Sequence, residues 1–113
     1  MELLERNQGE IVIVALKGRL DSSSAPQLGK SVEKVLLASH PKLAVDMSGV
    51  TFIDSSGLSA LVQVMKRCRE RQGAMVIFGL QQTVRMIFEL TRLDKAFDLF
   101  PSEKEALKFF PAA

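Results

Sequence analysis

The chain has 113 residues, 47% hydrophobic and 25% charged, with 15 basic against 13 acidic side chains and a net charge of +2. This length supports one domain with a real core, spanning 1–113, and the composition is that of a globular protein rather than a disordered one. A single cysteine, Cys68, and a single histidine, His40, exclude a disulfide framework and the ligand sets of structural zinc or iron–sulfur sites.

No metal or cofactor is therefore expected. With no Trp or Tyr there is no platform for base stacking, and no direct nucleic-acid partner is expected. The basic run Lys66, Arg67, Arg69, Arg71 reads as a solvated helix face. The start, Met1-Glu2-Leu3-Leu4-Glu5-Arg6, lacks the apolar run of a signal peptide, and no stretch is long enough to span a bilayer. A cytoplasmic protein without membrane insertion is the expectation.

Leu3 to Arg6 reads as a weak strand, followed by a turn over Asn7-Gln8-Gly9. Glu10 to Leu16 is apolar and β-branched throughout, the pattern of a strand covered on both faces. Gly18-Arg19-Leu20-Asp21 then leaves the sheet. Ser22, Ser23 and Ser24 are candidate caps for a helix that tolerates Pro26 in its first turn. Leu28, Val32, Val35 and Leu36 continue at helical spacing, and Pro41 ends that helix near His40.

Lys42 to Met47 reads as the next strand. Leu58, Leu61, Val62, Met65 and Cys68 return to helical spacing, closed by Gly73. Ala74 to Phe78 is another buried strand, and Val84, Ile87, Phe88 and Thr91 mark a third helix. Ala96 to Phe100 is a short edge strand. Ser102-Glu103-Lys104-Glu105 is a capping box before a last helix with Leu107 and Phe110. The alternation predicts an α/β fold: a mixed sheet with an N-terminal hairpin and about four α-helices.

The segment Val45 to Leu58 is the informative one. It becomes small and polar at Asp54-Ser55-Ser56-Gly57, between a strand and an apolar helical stripe. That places Asp54, Ser55 and Ser56 at a helix N-terminus, where unpaired backbone N–H groups and the macrodipole favour negative charge. Taken alone, the string reads as a plain N-cap, and spacing by itself does not mark a phosphosite. Catalysis finds no support: Ser55 lacks a nucleophile elbow, no phosphate-cradling Gly-Lys loop occurs, and nothing orients His40 toward Ser55.

In their order and context these motifs resemble the STAS-domain anti-sigma factor antagonists. Phe52-Ile53-Asp54-Ser55-Ser56-Gly57-Leu58 is similar to the family's phosphorylation motif, and Gly18-Arg19-Leu20-Asp21 to its upstream element. Val45 to Ser48 and Thr91-Arg92-Leu93 also match in position. The resemblance implies a mixed sheet with helices on one side. It further implies that Ser55 is phosphorylated by a partner that is both anti-sigma factor and serine kinase, and that a serine phosphatase reverses the modification.

By the same resemblance Asp21, Asp54, Ser56, Gly57 and Leu58 form the partner-binding surface, and the protein is a partner-switching regulator rather than an enzyme. Truncating Asp21 should then spare stability, and Gly57→Val should fold but fail to bind. The alternative is a constitutive STAS scaffold subunit of a stress-signalling or lipid/anion transport complex, with Ser55 only a cap.

Overall fold

The computed structural model describes residues 1–111; positions 112 and 113, the end of the expected domain, lie outside the described residues. Five strands form one sheet whose spatial order, β1-β2-β3-β4-β5, is the order of the sequence. β1 (Glu2–Gln8) and β2 (Ile11–Leu20) make an antiparallel hairpin. Gly9, at φ 61°, supplies the left-handed turn residue that a Cβ would disfavour. β3 (Lys42–Ile53), β4 (Ala74–Phe78) and β5 (Asp98–Phe100) add in parallel. Their crossovers carry α1 (Ala25–Ser31), α2 (Ser55–Glu70) and α3 (Gln82–Leu90), and α4 (Glu103–Lys108) follows β5. The mixed sheet, hairpin and four helices are those the sequence predicts.

Strand alternation sorts the core into two layers. Val14, Leu43, Val45, Met75 and Ile77 point to the face covered by α1, α2 and α3. Ile13, Ala44, Val76 and Phe78 point to the other face, where Ala106 of α4 and Phe110 just after it pack down. Helices on one side only, as the resemblance implied, is therefore corrected. Apolar residues at consecutive strand positions require a cover on both faces, and α4 provides the second.

Two strands run further than their apolar stretches. β2 continues through Gly18, Arg19 and Leu20, so only Asp21 leaves the sheet, and β3 continues through the polar Ser48 to Thr51. Irregularities between Ala15 and Lys17 and between Gly18 and Arg19 let the pair keep hydrogen bonding to Leu20 and Ile53. The expected first helix is shorter. α1 stops at Ser31, and the chain then tightens into a 3₁₀ turn at Val35–Leu37. Gly29 weakens this helix, and the Ser31 hydroxyl donates back to the Leu28 carbonyl (2.8 Å), competing with the backbone ladder. Leu28, Val32, Val35 and Leu36 are buried all the same.

α2 ends by a different division of labour from the expected glycine cap. Gln72, at φ 58°, takes the left-handed position. Gly73 serves close approach instead, because a Cβ there would lie 2.1 Å from the Pro41 carbonyl oxygen. The basic run is exposed, as a solvated face should be, but two of its members tie loops down. Arg69 donates to the Ala96 carbonyl, and Arg71 to those of Leu37 and Ala38. Phe88 is fully buried and packs edge-to-face on Phe97, with centroids 5.6 Å apart. Phe88→Ala should cost about 3–5 kcal/mol, read as a lower denaturant midpoint with an unchanged m-value.

Candidate functional site

β2 and β3 end side by side: the Asp54 N–H donates to the Leu20 carbonyl at 3.3 Å. From this junction the Asp21–Ser24 loop leads into α1, and Asp54 leads directly into α2. Asp54 is the N-cap of α2. Its backbone is extended (φ −118°, ψ −172°), and its Oδ1 accepts the Gly57 N–H at 3.0 Å. Ser55, the first helical residue, is exposed, and its hydroxyl makes no hydrogen bond among the described residues. The capping role that the sequence allowed for Ser55 belongs to Asp54.

The chain is built tightly beneath this turn. Gly57 is buried against β2, and a Cβ there would lie 2.3 Å from the Leu20 carbonyl oxygen and 2.9 Å from Ile53 Cγ1. Leu58 points into the same core. These two residues therefore present no surface of their own, and the expectation that Gly57→Val folds is corrected. A backbone oxygen occupies the space that any side chain would need. Ser56 is half-buried and, with Ser55, Ser59, Ser22, Ala25 and Gly29, lines a groove of about 630 Å³ between α1 and α2. Arg67 also lines it.

Asp21 organises the facing loop. Its Oδ1 accepts from the Ser23 hydroxyl (2.7 Å) and N–H (3.1 Å) and from the Ser24 N–H (3.3 Å), an Asx-type turn that launches α1. Ser24 is buried and satisfied, donating its hydroxyl to the Arg19 carbonyl at 2.7 Å. The Ser23 hydroxyl bond, seconded by these N–H groups, holds the Asp21 carboxyl below its ordinary value, against some desolvation. Asp21 therefore orders its own loop, a structural task beside the partner-facing one expected of it.

Two neighbours escaped the sequence reading. The Arg19 guanidinium lies over the Phe52 ring, 3.9 Å from its centroid, and its Nε is 3.6 Å from Asp21 Oδ2. Both side chains are exposed, and the signal was an aromatic residue at an outward strand position opposite an arginine. His40 and Ser55 sit before and after β3, whose twelve residues at ~3.3 Å each hold them at opposite ends of the molecule. A triad through His40 is geometrically excluded. Burial pushes the Cys68 thiol up to about 11, so it is no nucleophile. Among the described residues no group of three or more His, Cys, Asp or Glu could hold a metal ion, and no helix is long and apolar enough to cross a membrane.

The candidate site of this small α/β domain is thus an exposed serine on a capped helix beside an ordered acidic loop. The STAS domain model matches residues 4–106, and the chain belongs to that family. The anti-sigma-B factor antagonist of Listeria monocytogenes is 30% identical over 105 residues, 93% of this chain and 91% of its own length. The crystal structure of an anti-sigma factor antagonist from Mycobacterium paratuberculosis is 29% identical and superposes with a TM-score of 0.85 over 96% of this chain and 92% of that one. The Bacillus protein SpoIIAA shares the fold at 18–19% identity, with TM-scores of 0.73 unphosphorylated and 0.71 phosphorylated. Each form covers 96% of this chain, and this chain covers 96% and 98% of theirs. These relatives carry the name of anti-sigma factor antagonists.

Three substitutions separate the structural roles. Gly57→Ala should destabilise by about 1–3 kcal/mol through overpacking, and Asp54→Ala by about 0.5–2 kcal/mol through the lost cap. Ser55→Ala should fall within ±0.5 kcal/mol, as an exposed site does. Urea titrations rank them. Asp21 supplies a pH test. Its folded carboxyl titrates below the unfolded value of about 3.9, so its stabilisation is complete above that pH. It is lost as pH falls through the folded value. The stability gap between wild type and Asp21→Asn should therefore close on acidification.

Proposed function

We propose that the protein is an anti-sigma factor antagonist whose partner binding is switched at Ser55. The observation that carries this reading is that Asp54 caps α2, which leaves the Ser55 hydroxyl exposed at the mouth of the α1–α2 groove. The unmodified protein binds an anti-sigma factor that is also a serine kinase, by way of Ser56, the groove and the loop ordered by Asp21. Asp54, Gly57 and Leu58 serve that surface by fixing where α2 begins. The kinase moves the γ-phosphoryl of ATP to Ser55 Oγ, releasing ADP and the serine proton, and a serine phosphatase hydrolyses the ester with water to return the serine and inorganic phosphate. The cytoplasm, where sigma factors act, is the compartment this reading requires.

Phosphorylation adds about −1.5 to −2 charges at neutral pH. At the α2 N-terminus that charge is favourable by roughly 0.3–1 kcal/mol, so the fold has no reason to change. In a closed interface the same group must be desolvated beside the Asp21 and Asp54 carboxylates. A penalty of about 4 kcal/mol weakens binding roughly a thousandfold. The switch acts by exclusion at the contact rather than by rearranging the sheet.

Calorimetric titration of the candidate kinase with wild type, Ser55→Ala and Ser55→Asp tests this. The alanine form should bind as wild type does, and the aspartate form should not. Amide spectra of the phosphorylated protein should change only around Ser55. Equal binding by all three forms would reduce the protein to a constitutive scaffold, and phosphate mapped to Ser56 or to Ser22–Ser24 would move the switch elsewhere.

A further inference from the structure

β1 is an edge strand: it pairs with β2 on one side, and no strand among the described residues pairs with its other side. Its residues are exposed except for Leu3, and Leu4 keeps 73% of its surface in solvent. Natural edge strands are commonly blunted by charges that repel an approaching copy. The charges of β1 are Glu2, Glu5 and Arg6, and their arrangement does the reverse.

We propose that β1 pairs with β1 of a second copy of this chain, antiparallel about a two-fold axis through Leu4, to give a continuous ten-stranded sheet. A two-fold axis perpendicular to a sheet keeps each residue on its own face, so it can pass only through a residue position, never between two. Through Leu4, Glu2 faces the second copy's Arg6, Arg6 faces its Glu2, and Leu4 faces its Leu4. Glu5 faces Leu3, and no like charges meet.

The neighbouring registers form no opposite-charge pair. An axis through Glu5 opposes Glu5 to itself and Leu4 to Arg6; one through Arg6 opposes two arginines. An axis through Leu3 places Glu2 against Leu4. Of these registers, that through Leu4 is the one that sets opposite charges face to face and opposes no like charges, with Glu5 against Leu3 as its one charged–apolar pairing.

The rows behind β1 extend the match. Leu4 lies opposite Ala15 in β2 and Glu2 opposite Lys17. Across the joined sheets one row reads Ala15, Leu4, Leu4, Ala15, and the next alternates in sign as Lys17, Glu2, Arg6. Arg6 also meets Glu103 of its own α4, so it would stand between two carboxylates in the dimer. A single strand pair buries less than a standard interface of ~1,200 Å² or more, so the association is weak and concentration-dependent.

Sedimentation velocity on the full chain over a concentration series tests the pairing. Wild type should shift from monomer toward dimer as concentration rises. Glu2→Arg and Arg6→Glu should each raise the dimer dissociation constant at least about tenfold, since each turns two attractions into two repulsions. Mixed in equal amounts, the two variants should form a heterodimer at wild-type affinity or better, because every facing pair is then opposite in charge. Circular dichroism checks that Arg6→Glu still folds without its Glu103 contact, and Glu2→Arg does not involve that contact. A wild type that stays monomeric throughout, a dimer indifferent to both variants, or a mixture that does not associate would each overturn the proposal.

Discussion

The site depends on one close approach, that of the Gly57 backbone to the carbonyl of Leu20. A Cβ at position 57 would lie 2.3 Å from that oxygen, which also accepts the Asp54 N–H. One atom thus fixes the end of β2, the end of β3 and the first turn of α2. Hydrogen bonding sets the distance, and the missing side chain permits it. With α2 held so closely, the groove between α1 and α2 acquires its floor, and Ser55 is forced outward.

The same crowding assigns the polar residues of the turn different tasks. Asp54 faces inward to a backbone N–H, and Ser55 faces solvent one residue later. Across the junction Asp21 spends its carboxylate on Ser23 and Ser24, which orders the loop before any partner arrives. A preordered loop loses little freedom on binding, so more of the contact energy is available for affinity. Arg19 over Phe52 adds a cationic, partly apolar shoulder to a surface otherwise made of small polar side chains.

Much of this was legible in the sequence, for physical reasons. Continuous apolar runs such as Ile11 to Leu16 can only be strands covered twice, and stripes such as Leu58, Leu61, Met65 and Cys68 can only be one face of a helix. What stayed hidden depended on partners distant in the chain. The strand character of Ser48 to Thr51 comes from pairing with β2, not from its own composition. Gly57 reads as open space for a visitor until Leu20 is seen to fill it. Asp21 and Asp54 look alike as acidic loop residues, and only geometry shows Asp54 as the cap of α2 and Asp21 as the anchor of an Asx-type turn. The break after Ser31 reflects a contest between a side-chain hydroxyl and the helix ladder, which periodicity does not register.

The strand order has a consequence for how the chain comes to be folded. Because spatial neighbours are sequence neighbours throughout, no strand must insert between two others that formed earlier. Each strand–helix unit can dock on the edge left by the one before, so loop-closure costs stay modest at every step. On a ribosome, which delivers the chain from its N-terminus, assembly can keep pace with synthesis. The growing edge is then exposed only until the next strand emerges.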